Sequence, residues 1–232
     1  MDVSADSLAA LNARIVDCER CPRLRAYCAE VARVRRRAYA DQEYWGRPVP
    51  SFGDPQARAL VLGLAPGAHG SNRTGRMFTG DGSGDFLFPV LHEAGFASQA
   101  KAVSRDDGMR LAGLWIAAVV RCAPPGNKPA PDELRNCAPW LDEEVALLTN
   151  LRVVVCLGKI AFDGFLNHQL RAGRIAARAQ FQFRHGAEYT LPGGITLMAS
   201  YHPSLQNTNT GKLTRAMFLD VFTRARELAG LK

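Results

Sequence analysis

Four short apolar runs punctuate the chain, at residues 59–64, 114–120, 151–157 and 195–200. None alternates with polar residues. Continuous runs of this length mark strands buried on both faces, as in a parallel sheet. Elsewhere the apolar positions recur with a helical period. Residues 6–16 set Leu8, Leu11 and Ile15 on one face. Residues 85–94 form a second helical pattern. Residues 131–150 form a third, with Asp132 and Glu133 in a first turn where they suit the helix dipole. Residues 159–172 form a fourth, stopped by Gly173, and residues 212–230 a last amphipathic helix. Strand alternating with helix predicts an α/β fold, a three-layer α/β/α sandwich. Residues 22–47 are charged, and Pro124 to Pro129 make a stiff loop after the second run.

Composition sharpens this picture in three respects. The 232 residues carry a formal net charge of +7. That balance favours a polyanionic partner such as nucleic acid. The cluster Arg33, Arg35, Arg36, Arg37 contributes to it, either as a solvated helix face or as part of a nucleic-acid surface. No apolar run approaches the ~20 residues that span a bilayer. The N-terminus is acidic and lacks a signal-peptide apolar region, so a soluble, cytoplasmic protein is expected.

The six cysteines have telling spacings. Cys18 and Cys21 form a C-x2-C pair, Cys122 and Cys137 have fourteen residues between them, and Cys28 and Cys156 stand alone. Cys156 falls inside an apolar run and reads as core. Three readings of the other four remain open: separate core thiols, a zinc site, or a [4Fe–4S] cluster, since both metal centres accept four thiolates. A redox C-x-x-C is disfavoured, because no strand precedes Cys18.

Two segments carry candidate chemistry. The first, residues 63–81, opens where the first apolar run ends. It combines Gly63, Gly67, Gly70, Gly75 and Gly80 with Phe78 and Asp81. In an α/β sheet that break coincides with the ligand crevice. A ring to stack on, a carboxylate and close-approach glycines suit a flat aromatic ligand. Phe78 has a bland alternative as core, and Asp81 as a turn cap. The second, residues 201–211, places His202 just past the fourth run and before Pro203, on the same crevice side. His69 is a pocket or supporting group, while His92, His168 and His185 read as structural or surface residues. The loop lacks the G-x-x-x-x-G-K-[ST] pattern of a phosphate-binding loop.

Residues 63–84, residues 201–214 and the stretch from Cys122 to Cys137 together resemble the uracil-DNA glycosylase superfamily, most closely its family 5, and the resemblance runs from Cys18 to about Phe218. It implies one domain over residues 1–232 with a four-stranded parallel sheet, residues 1–50 supplying two cluster cysteines. It implies a structural [4Fe–4S] cluster on Cys18, Cys21, Cys122 and Cys137, with Cys28 and Cys156 outside it. Family 4 has a glutamate and an asparagine where this chain has Leu64 and Ala118. Family 5 shares the apolar character. Losing an amide that reads one base edge relaxes base selection. The resemblance accordingly implies action on uracil and also on hypoxanthine, xanthine and etheno-bases.

The resemblance further implies hydrolysis of the N-glycosidic bond of a flipped nucleotide in DNA, leaving an abasic site for base excision repair. Asp81, His202 and Asn127 take catalytic positions. Ala65, Pro66, Gly67, His69 and Phe78 would form the base pocket. Arg73, Arg76, Ser204, Leu205, Gln206 and Asn207 would meet DNA, the arginines at phosphates and Leu205 or Gln206 in the gap left by the flipped base. A monomer is expected.

Overall fold

The computed structural model describes residues 3–231. Residues 1, 2 and 232 of the expected domain lie outside the described residues. Helices α1 (Val3–Val16) and α2 (Pro22–Val34) lead into β1 (Phe52–Gly53) and β2 (Ala59–Gly63). Then come α3 (Ser71–Thr74), α4 (Gly82–Glu93), β3 (Leu114–Ala118), α5 (Pro131–Leu147), β4 (Val153–Leu157) and α6 (Lys159–Arg171). The chain closes with β5 (Glu188–Thr190), β6 (Thr196–Ser200), α7 (Leu205–Asn209) and α8 (Arg215–Leu228).

The sheet has six strands in the order β1-β3-β2-β4-β6-β5. The four apolar runs form its parallel centre. The expected four-stranded sheet is corrected to a mixed one, because β1 and β5 add antiparallel edges. Neither edge has an apolar run to betray it. β1 is two residues long, and Glu188 and Thr190 of β5 face solvent.

Alternation along the buried strands divides the core into two. Leu60, Leu62, Trp115, Ala117, Val154 and Cys156 face the cluster that holds Leu8, Leu24, Trp140 and Phe162, on α1, α2, α5 and α6. Ala59, Val61, Leu114, Ile116, Val153 and Val155 face Phe88 of α4 and Phe218 and Phe222 of α8. This is the period of two expected of strands, and it explains why every residue of β2, β3 and β4 is buried.

From β2 the sheet grows to β3 on one side and to β4 on the other. That reversal opens a crevice at the carboxyl ends of the strands. The loops after β2, β3 and β6 all emerge there. Among the described residues no helix is long and apolar enough to cross a membrane.

Candidate active site

A cavity of about 500 Å³ lies at this crevice. Its floor is Gly63 with Leu64 and Ala118, and its walls include Ala65, Gly67, Phe78, Asp81 and His202. Asn127, Ser204, Leu205 and Gln206 add to the lining. Three separate loops therefore converge on one volume. Gly63 and Ala118 are register partners in neighbouring strands, which places the apolar floor across both strand ends.

Asp81 is both the turn cap and a pocket group. As N-cap of α4, its Oδ1 accepts from the backbone N–H of Ser83 at 3.0 Å and of Gly84 at 3.1 Å. Oδ2 has no hydrogen bond among the described residues. It lies against the loop backbone, where a Cβ on Gly70 would come within 2.0 Å of it and one on Gly67 within 2.8 Å. Only glycines make room for this carboxylate. Burial raises the Asp81 pKa, opposed by the two N–H bonds.

Phe78 adopts φ 53°, a left-handed conformation that a bulky residue rarely holds. Its ring tip lies over Gly63, where a Cβ would sit 2.7 Å away. Its carbonyl presses on Gly84, where a Cβ would come within 1.8 Å. The ring centroid is 6.1 Å from that of His202, the planes tilted by 33°. Two aromatic faces thus border the same space.

His202 is held through its backbone, whose carbonyl accepts from Asn207 Nδ2 at 2.8 Å. Burial lowers its pKa to about 4, so the ring is neutral at pH 7. Asn127 stands at the rim in a tight turn, exposed, with φ 57°. Leu205 projects at the rim, 59% exposed, with its side chain packed on Gly82.

Several expected contacts are corrected. Arg73 is buried, donating to the carbonyls of His69 at 2.8 Å and Gly80 at 2.7 Å, with its guanidinium 3.9 Å over Tyr39. It pins the ends of the loop together. Arg76 is buried in a two-pronged pair with Asp107, at 2.8 and 2.7 Å. Burial works to raise the Asp107 pKa, but Arg76 and backbone N–H groups outweigh it and hold that carboxyl well below the usual range. Neither arginine is free to reach a phosphate. Pro66 and His69 are absent from the cavity wall. The His69 ring instead meets the Tyr44 hydroxyl at 3.0 Å. Asn207 supports His202 rather than facing outward, and the Ser204 hydroxyl caps α7. Conversely, Ser71, Met77 and Ser83 line the cavity without having been singled out. Nothing local marks them; only closure of the loop brings them in.

Cys18, Cys21, Cys122 and Cys137 line a separate small cavity with Arg25 and Trp140. Cys18 and Cys21 lie in the turn between α1 and α2, Cys122 follows β3, and Cys137 is on α5. The Arg121 N–H donates to Cys137 Sγ at 3.3 Å, and Asn136 Nδ2 to Cys21 Sγ at 3.8 Å. Burial pushes the Cys137 thiol up to about 11, and Cys18 and Cys21 add to the shift. Among the described residues no three His, Cys, Asp or Glu side chains gather closely enough to grip a single metal ion. Cys28 is buried, with its thiol 3.6 Å from the Ala123 carbonyl. Cys156 is fully buried in β4, as its apolar setting suggests.

The family model of the uracil DNA glycosylase superfamily matches residues 50–226. A type-5 uracil-DNA glycosylase of Thermus thermophilus is 57% identical over 215 residues, covering 92% of this chain and 94% of that protein. One from Mycobacterium bovis is 48% identical over 229 residues, covering 98% of this chain and 84% of that protein. A type-4 uracil-DNA glycosylase of Sulfurisphaera tokodaii is more distant, at 27% over 188 residues, covering 78% of this chain and 74% of that protein. The glycine loop, the crevice histidine and these matches agree: the chain belongs to the uracil DNA glycosylase superfamily, and within it to the type-5 family.

Proposed function

We propose that this protein removes uracil from DNA by hydrolysing its N-glycosidic bond, the first step of base excision repair. The observation that carries the reading is the convergence of Phe78, Asp81 and His202 on one cavity in a chain so close to type-5 enzymes. A base in a duplex is shielded, so the target nucleotide must flip out. Phe78 would stack on it. As the bond breaks, cationic character grows on the sugar and negative charge on the base. The Asp81 carboxylate would balance the first and guide water to C1′. His202, neutral through burial, would donate a hydrogen bond to the leaving base. Asn127 at the rim would help hold base or water.

The floor formed by Leu64 and Ala118 offers no side-chain hydrogen bond to read a base edge. It supports a range extending to hypoxanthine, xanthine and etheno-bases. Leu205 is placed to fill the gap in the DNA. Phosphate contact falls to exposed cations near the mouth, Lys128 beside Asn127 and Lys212 over the Tyr201 ring, rather than to Arg73 and Arg76. The protein would act as a cytoplasmic monomer.

Cys18, Cys21, Cys122 and Cys137 would hold a [4Fe–4S] cluster. The fit rests on four thiols around one cavity and on N–H groups directed at two of their sulfurs. When bound, the cluster would tie the α1–α2 turn to the sheet and α5. The test is direct: purified protein on a uracil-containing duplex should yield abasic sites, and intact DNA would overturn the reading.

A further inference from the structure

Ser71 is the first residue of α3 and only 2% exposed, yet it lines the cavity. Its hydroxyl has no hydrogen-bond partner among the described residues. It is also not one of the buried polar atoms sealed away from solvent. Its backbone is fixed, since its carbonyl accepts from the Gly75 N–H at 2.8 Å. Little but rotation about χ1 is left to it.

Asp81 Oδ2 likewise has no hydrogen bond among the described residues. It rests against Gly70, the residue immediately before Ser71. The two oxygens share the cavity but do not bond to each other. Polar groups facing one another beyond direct reach are commonly bridged by water. We propose that Ser71 and Asp81 Oδ2 together seat the water that attacks the sugar, which makes Ser71 a positioning residue for the nucleophile. The inference rests on the glycosylase reading above.

The water donates one hydrogen to Asp81 Oδ2 and the other to Ser71 Oγ, leaving a lone pair for C1′. The C1′–N bond breaks and its electron pair leaves on the base, whose charge His202 stabilises. The water oxygen bonds to C1′ and one water proton passes to Asp81. Solvent then protonates the released base and takes the proton back from Asp81. A backbone-anchored serine suits this role because a small misplacement of a nucleophile is costly in rate.

The test is Ser71→Ala under single-turnover conditions on uracil-containing DNA, in water and in a methanol–water mixture. The expected results are base release slowed about tenfold to a hundredfold, unchanged affinity for the DNA, and a larger share of the 1′-O-methyl product. A loosened water seat discriminates less against methanol, whereas a merely structural serine would leave the product ratio alone. An unchanged rate overturns the inference. So does a slower rate with an unchanged product ratio, including one that varies with the base removed, since the hydroxyl would then be reading the base. Should Ser71→Ala fold poorly, Ser71→Cys keeps the volume with a weaker hydrogen-bonding group, and the same shift in product ratio is expected. A wild-type protein that forms no abasic sites would instead overturn the glycosylase reading itself.

Discussion

The glycine loop and the cysteine corner are held by opposite means. In the loop, neutral backbone and buried side chains do the fixing: Arg73 joins its two ends, Asp81 caps α4, and glycines leave space for both Phe78 and Asp81. It needs nothing from outside the chain. In the corner, four thiols converge from three distant stretches of sequence, and burial raises the pKa of Cys137 and Cys21. Thiols so placed gain their binding power when a cation accepts them as thiolates. The loop is thus fixed by its own residues, whereas the proposed cluster would be what ties the corner together.

The widest break in that comparison is Cys137→Ala. Losing one ligand should abolish iron incorporation and most of the properly folded yield, read by iron analysis and visible absorbance. Cys156→Ala should lower stability by only about 1–3 kcal/mol and leave iron content unchanged. A colourless wild-type protein carrying one zinc would overturn the cluster.

Within the loop, Asp81→Asn keeps the cap acceptor but removes the charge. Single-turnover base release should fall about a hundredfold or more with DNA affinity nearly intact. Gly70→Ala should match that loss although glycine contributes no side chain, because the new Cβ occupies the place of Oδ2. Near-normal rates in Asp81→Asn would remove the carboxylate from the mechanism.

The pH profile sharpens the same point. In the proposed mechanism Asp81 acts ionised; burial raises its pKa, so activity should be present above that raised value and lost as pH falls through it. His202 titrates only at about 4. Single-turnover rates should therefore show no step near ~6.5, the value of an ordinary histidine. A step there that vanishes in His202→Ala would show that the imidazole is charged in the working enzyme.

Smaller effects separate reading from holding. Ala118→Asn should narrow the base range towards uracil if the apolar floor accounts for breadth, measured as relative rates on uracil and hypoxanthine. Lys128→Ala should weaken DNA binding modestly and reduce the salt slope by about 1. Arg76→Ala should lower stability instead, because it takes the ion partner from the half-buried Asp107.

What the sequence revealed follows from what each element buries. The four central strands were legible because both faces are covered, which forces unbroken apolar runs. β1 and β5 were not, being two and three residues at the sheet edges. Helix α2 hid in a charged stretch because only Leu24 and Cys28 of it are buried. Motif and position pointed to Phe78, Asp81 and His202, and the structure brings all three to one cavity. Arg73 and Arg76 were misread because a loop arginine looks the same whether it faces DNA or closes its own loop. Ser71 carried no signal, since the role proposed for it depends on a neighbour ten positions away.

The glycines beneath Phe78 and Asp81 have a consequence for how this site can change over generations. Each is the negative image of a particular side chain: Gly63 and Gly84 of Phe78, Gly67 and Gly70 of Asp81. A substitution at any of them is read as a clash with an existing partner, and a new partner has no room until its glycine is already in place. Such positions drift only in concert. The interlock leaves the loop little freedom to change one residue at a time, whereas Leu64 and Ala118 lie outside it and can be altered without meeting Phe78 or Asp81 through a glycine.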